Sequence, residues 1–148
     1  MPESSPEIAL SESLVFFEKS SSLRSLRDRI DRLEISADAK SLLLDLATIT
    51  LNVGGKLLAL GRKILEFALD LAQKFKNVIF GVIIALLLSA VLGAIPLLGP
   101  AIAALLTPLM VAFGILRGSI EDFRGMAIQS EIDALKQRME VLSTYAVA

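Results

Sequence analysis

The sequence predicts an all-α protein: an integral membrane helical hairpin flanked by amphipathic and coiled-coil helices. Three observations predict it. Residues 77–116, 40 positions in a row, carry no Asp, Glu, Lys or Arg, so all 15 basic and all 16 acidic residues of the 148-residue chain lie outside that stretch. Apolar residues on both sides recur at spacings of three and four, the period of one helical face. The chain is 54% hydrophobic with a mean hydropathy of +0.67, above the usual soluble balance, while still 21% charged. Wet and dry parts are thus segregated along a chain whose length fits one domain.

The same totals exclude much chemistry. A net charge of −1 gives no basic surplus for nucleic acid. Cys and His are both absent, which removes disulfides, thiolate metal sites, the commonest general base and the commonest zinc ligand. No phosphate-binding, dinucleotide-binding, zinc-protease or nucleophile-elbow motif is present. The carboxylate pairs Asp28/Asp31 and Glu131/Asp133 sit on charge-mixed helix faces and read as solvated surface. The expectation is a non-enzyme with no cofactor, no metal, no nucleic-acid partner and no small-molecule substrate.

Residues 1–22 read as a loose leader with a short helix near Leu14–Phe17, capped at Ser11. The opening Met1–Glu7 is acidic and broken by two prolines, unlike a secretory signal, so insertion is expected to use the internal segment. Residues 23–76 read as amphipathic helices. Ser20–Ser22 can cap a first one with the stripe Leu23, Leu26, Ile30 and Leu33, and Ser36 with Asp38 starts a longer one. Its stripe runs from Leu43 through Leu57, Leu60, Ile64, Phe67 and Leu71 on heptad spacing, and Leu57–Leu71 is the candidate oligomer stripe. Gly54-Gly55 marks a kink or break within it.

Residues 77–116 form the expected transmembrane hairpin. Two passes of about 20 residues fit the run, and Pro96, Gly99 and Pro100 with Gly93 place the turn at 93–100. The arms become 77–95 and 100–116, about 25–29 Å long against a hydrocarbon core of about 30 Å. Pro108 should kink the second arm. The charge-free run resembles, in pattern, the hydrophobic hairpin of colicin-type pore-forming domains, which implies that it could also lie buried in a soluble bundle. Concealing 40 apolar residues needs a thick shell, however, and only 108 residues remain, so a stable membrane protein is the expectation.

Within the first arm, Gly81, Ala85, Ser89 and Gly93 repeat every four residues, a spacing that allows close helix approach or a pore lining. Lys74 and Lys76 before the hairpin and Arg117 and Arg124 after it place both termini on the cytoplasmic side. No ionisable group lies within the run, which disfavours an active transporter. Residues 117–148 read as a cytoplasmic coiled-coil helix, with the stripe Ile128, Ile132, Leu135, Met139 and Leu142. The expected partners are the lipid bilayer and further copies of the chain. The expected function is an oligomer that forms a pore or permeabilises membranes, as a toxin-like or defence effector. The alternative is a membrane-shaping scaffold, or an anchor that recruits a partner through its amphipathic helices.

Overall fold

Serines that accept from backbone N–H groups three residues on start the first shell helices of the fold. In the computed structural model, which describes residues 6–76, 78–114 and 127–147, Ser22 accepts from Ser25 N at 3.1 Å and Ser36 from Ala39 N at 3.1 Å. They open α2 (Leu23–Asp31) and α3 (Ala37–Leu46). The whole order is α1 (Pro6–Glu18), α2, α3, β1 (Leu51–Val53), β2 (Lys56–Leu58), α4 (Leu60–Lys74), α5 (Phe80–Ala94), a 3-10 turn (Pro96–Leu98), α6 (Gly99–Phe113), α7 (Ala127–Thr144) and β3 (Ala146–Val147). The chain is mostly helical, as its periodicity predicts.

Two expectations about the amino-terminal half need correction. Within the expected leader the helix is longer than a turn capped at Ser11: α1 begins at Pro6, where a missing N–H costs a helix nothing, while residues 1–5 lie outside the described residues. It lies along α7 with Phe17 fully buried. The Phe16 ring carries the Lys63 ammonium 4.3 Å from its centroid and the Arg138 guanidinium at 4.6 Å, so cations of α4 and α7 hold α1 in place.

The second correction concerns residues 47–59, where the long helix gives way to a β-hairpin. Gly54 and Gly55 take φ of +60° and +88°, the two positive angles of a type I′ turn, which matches the twist of the flanking strands. Leu51 pairs with Leu58, Asn52 with Leu57 and Val53 with Lys56. Alternation then buries Leu51, Val53 and Leu58 and turns Leu57 outward, 69% exposed. β3 adds to the other edge of β1, giving the order β2-β1-β3. Leu57 is therefore on a strand and cannot continue a helical stripe with Leu60.

A close approach fixes the start of α4. Gly61 N donates to the Ile49 carbonyl at 2.8 Å, and a Cβ on Gly61 would stand 1.9 Å from the Leu46 carbonyl oxygen. Only glycine fits. From there Leu60, Ile64, Leu65, Ala68, Leu69 and Leu71 face the chain's own core. The candidate oligomer stripe is thus used internally, with Leu60, Ile64 and Leu71 buried and Phe67 half-buried.

At the centre lies α5. It packs on α4, α6 and α7 together, and eleven of its fifteen residues are buried. Exposed ion pairs and backbone contacts tie the surrounding shell: Arg29 to Asp70 at 3.0 Å, Lys74 to Glu131, Lys56 to Glu18, and Ser21 N to Glu66 at 2.9 Å.

Candidate functional site

The charge-free hairpin is the segment that composition sets apart, and the fold handles its two arms differently. α5 ends at Ala94 because Pro96 cannot donate and biases Ile95 out of the helical region (φ −128°, ψ 81°). The 3-10 turn Pro96–Leu98 reverses the chain, and Pro100 sits in the first turn of α6, where proline is tolerated. The arms are antiparallel. Phe80 at the start of α5 meets Phe113 at the end of α6, their centroids 6.0 Å apart and planes 85° apart, an edge-to-face contact. Gly114 closes α6 with φ +67° in a left-handed cap.

Lengths come out shorter than the sequence expectation. At 1.5 Å per residue, the 15 residues of α5 reach about 22 Å. α6 matches it in length; taken with the 3-10 turn before it, Pro96–Phe113 is a run of 18 residues and the one described helical stretch long and apolar enough, by length and composition, to cross a membrane. The first arm falls short because Val78 and Ile79 precede the helix.

On α6 the buried residues are Ile102 and Leu109, two of fifteen. The larger side chains Leu105, Leu106 and Met110 are half-buried around them. Pro100, Ala101, Ala104, Thr107, Pro108 and Val111 lie on the opposite face and are exposed, Val111 by 75%. With Leu97, and with Ile79 at 65% exposure near the open end of the hairpin, they make a surface without a single charge. Thr107 is the one polar side chain among these residues. Two clefts of about 440 Å³ flank the surface. One lies between Leu33, Ile35, Phe80 and Phe113, the other between Asp38, Leu42, Pro108 and Val111.

The small-residue line of α5 faces more than one neighbour, with Gly81 toward the end of α6 and Ser89 and Gly93 toward α7. Gly81 borders the cleft with Phe113, Ala85 is 1% exposed, and Ser89 opens onto a cleft of about 290 Å³ shared with Gln129, Asp133 and Lys136 of α7. Lys136 reaches Gly93, where a Cβ would stand 3.3 Å from its ammonium nitrogen. A cation at the last turn of α5 is favourable to the helix dipole. Of the membrane-flanking bases, Lys74 pairs with Glu131 and Lys76 is exposed, while Arg117 and Arg124 lie outside the described residues. Val111, Ile79 and Leu97 are the exposed residues that periodicity alone does not single out. A signal was present: in α6 the bulky residues Ile102, Leu105, Leu106 and Leu109 alternate with Ala101, Ala104, Thr107 and Pro108, an amphipathicity of size rather than polarity.

Compared with protein-family models, with curated proteins and with solved structures, the chain matches none. Function therefore rests on the geometry of the hairpin.

Proposed function

We propose that the protein acts on membranes, docking through the outer face of α6 and inserting the α5–α6 hairpin to permeabilise the bilayer as an oligomer. The observation that carries this reading is the uncovered, charge-free face of α6 beside a charge-free α5. In water that face orders solvent over apolar surface; against hydrocarbon the cost disappears. Every backbone group of both arms can be satisfied within a helix, as a lipid environment demands, apart from the site of Pro108. In this reading both ends of the hairpin stay on one side of the membrane, and the small-residue line of α5 supplies the contacts between copies once it is uncovered.

Dye release from vesicles tests it. The full chain added to vesicles of equal parts phosphatidylcholine and phosphatidylglycerol should release an entrapped fluorophore. Absence of release at every protein-to-lipid ratio rejects permeabilisation.

A second reading draws on the contrast in burial. If α5 stays packed and α6 alone rests in the interface, the protein is a membrane-bound scaffold or anchor whose amphipathic helices remain available to partners. Flotation with vesicles, accompanied by no release, would select it.

A further inference from the structure

The seam between α5 and α7 differs in chemistry from the other contacts of α5. The buried residues of α4, α6 and α7 around α5 are all apolar or glycine, so the difference lies at the edge of the seam. Against α7, Ser89 lines a cleft of about 290 Å³ together with Gln129, Asp133 and Lys136, and Lys136 lies over Gly93. At that polar edge separation starts at low cost, since its groups exchange one polar partner for water, while the apolar centre of the seam finds a substitute in lipid.

The fastenings at the two ends of α7 are correspondingly slight. Near its start, Glu131 pairs with Lys74 of α4, with the two side chains 38% and 60% exposed. Beyond its end, two residues of β3 pair with β1, as Asn52 with Val147 and Val53 with Ala146. Between them, Ile128, Ile132, Leu135, Met139 and Leu142 cover the inner helices.

We infer that α7 and β3 form a releasable clasp over α5, and that their departure as a unit precedes entry of the hairpin into lipid. This inference rests on the membrane reading above and adds its control. The clasp covers the face of α5 that carries Leu86 and Ala90 beside Ser89, so in the closed state that face cannot meet another copy. Opening it exposes α5 while leaving α5 joined to α6.

A disulfide across the sheet tests the clasp directly. Gly54 N donates to the Tyr145 carbonyl at 3.3 Å, which makes 54 and 145 a hydrogen-bonded pair of the antiparallel ladder. The neighbouring pair, Val53 and Ala146, is then non-hydrogen-bonded, with Cα atoms about 4.5 Å apart, within the range a disulfide accepts. The chain contains no cysteine of its own, so Val53→Cys with Ala146→Cys can form only this bridge within one chain.

Under oxidising conditions the double variant should bind the same phosphatidylcholine/phosphatidylglycerol vesicles and release no dye. Dithiothreitol should restore release to the wild-type rate, and each single variant should ignore the reductant. Equal release from oxidised and reduced protein overturns the clasp while leaving the membrane reading intact; a wild-type chain that releases nothing defeats the membrane reading itself. Should the bridge prevent folding, charge exchange serves instead. Lys74→Glu should speed release, and Lys74→Glu with Glu131→Lys should return it to the wild-type rate; equal rates in all three proteins would count against the clasp.

Discussion

α5 and α6 are both fifteen residues long, both free of charge and joined by a three-residue turn, yet one is enclosed and the other is largely bare. The difference lies in what each offers its neighbours. α5 carries bulky side chains around its circumference, Ile83, Ile84, Leu86, Leu87 and Leu88 among them, so any side left open would be costly. α6 concentrates its bulk on one side and gives the other to alanine, proline and threonine. A shell of this size covers one apolar helix, and the fold spends its limited cover on the one that is bulky all round. The lesson is that hydropathy ranks segments, whereas side-chain volume around the helix decides which is enclosed first.

The sharpest way to break this comparison is to truncate one residue in each arm. Leu87→Ala, at a fully buried position of α5, should cost about 2–5 kcal/mol in denaturant unfolding. Val111→Ala in α6 should shift stability by no more than about 0.5 kcal/mol. Similar losses at both sites would mean that α6 is as enclosed as α5.

Next in size is Gly61→Ala. The methyl would meet the Leu46 carbonyl, a backbone atom that cannot step aside alone, and stability should fall by about 3 kcal/mol in the same assay. A loss below about 1 kcal/mol would show that α3 and α4 can shift apart without disturbing the shell.

For the outer face the readout is lipid rather than stability. Val111→Lys should leave the melting temperature unchanged yet weaken vesicle binding by about 2 kcal/mol, roughly thirtyfold, because a charge would have to enter an apolar phase. Unchanged binding would remove α6 from the contact surface. The smallest effect is expected from Lys74→Ala, which breaks an exposed ion pair and should cost at most about 1 kcal/mol, less still at high salt.

Much of this architecture was legible from residue order. The serine caps at 22 and 36, the reversal around Pro96 and the inward stripe of α7 all follow from local chemistry that the tertiary structure leaves in place. The hairpin of β1 and β2 was not, because Thr50, Val53 and Leu57 carry the three–four spacing of the flanking helices straight across it. Gly54-Gly55 held the deciding information: two adjacent glycines flanked by apolar residues favour a type I′ turn over a kinked helix. The internal use of Leu60, Ile64 and Leu71 was beyond local reading, since a stripe that seeks a partner looks the same whether that partner is another molecule or the same chain.

Pro108 has one more consequence. Lacking an N–H, it leaves the carbonyl of Ala104 without its helical donor, and both residues lie on the bare side of α6. In aqueous solution a water molecule can take up that oxygen at once. Surrounded by acyl chains, it would need a partner from protein instead, such as the hydroxyl of the neighbouring Thr107 or a second helix. A residue that costs α6 little in water would thus ask, in a bilayer, for a partner of its own.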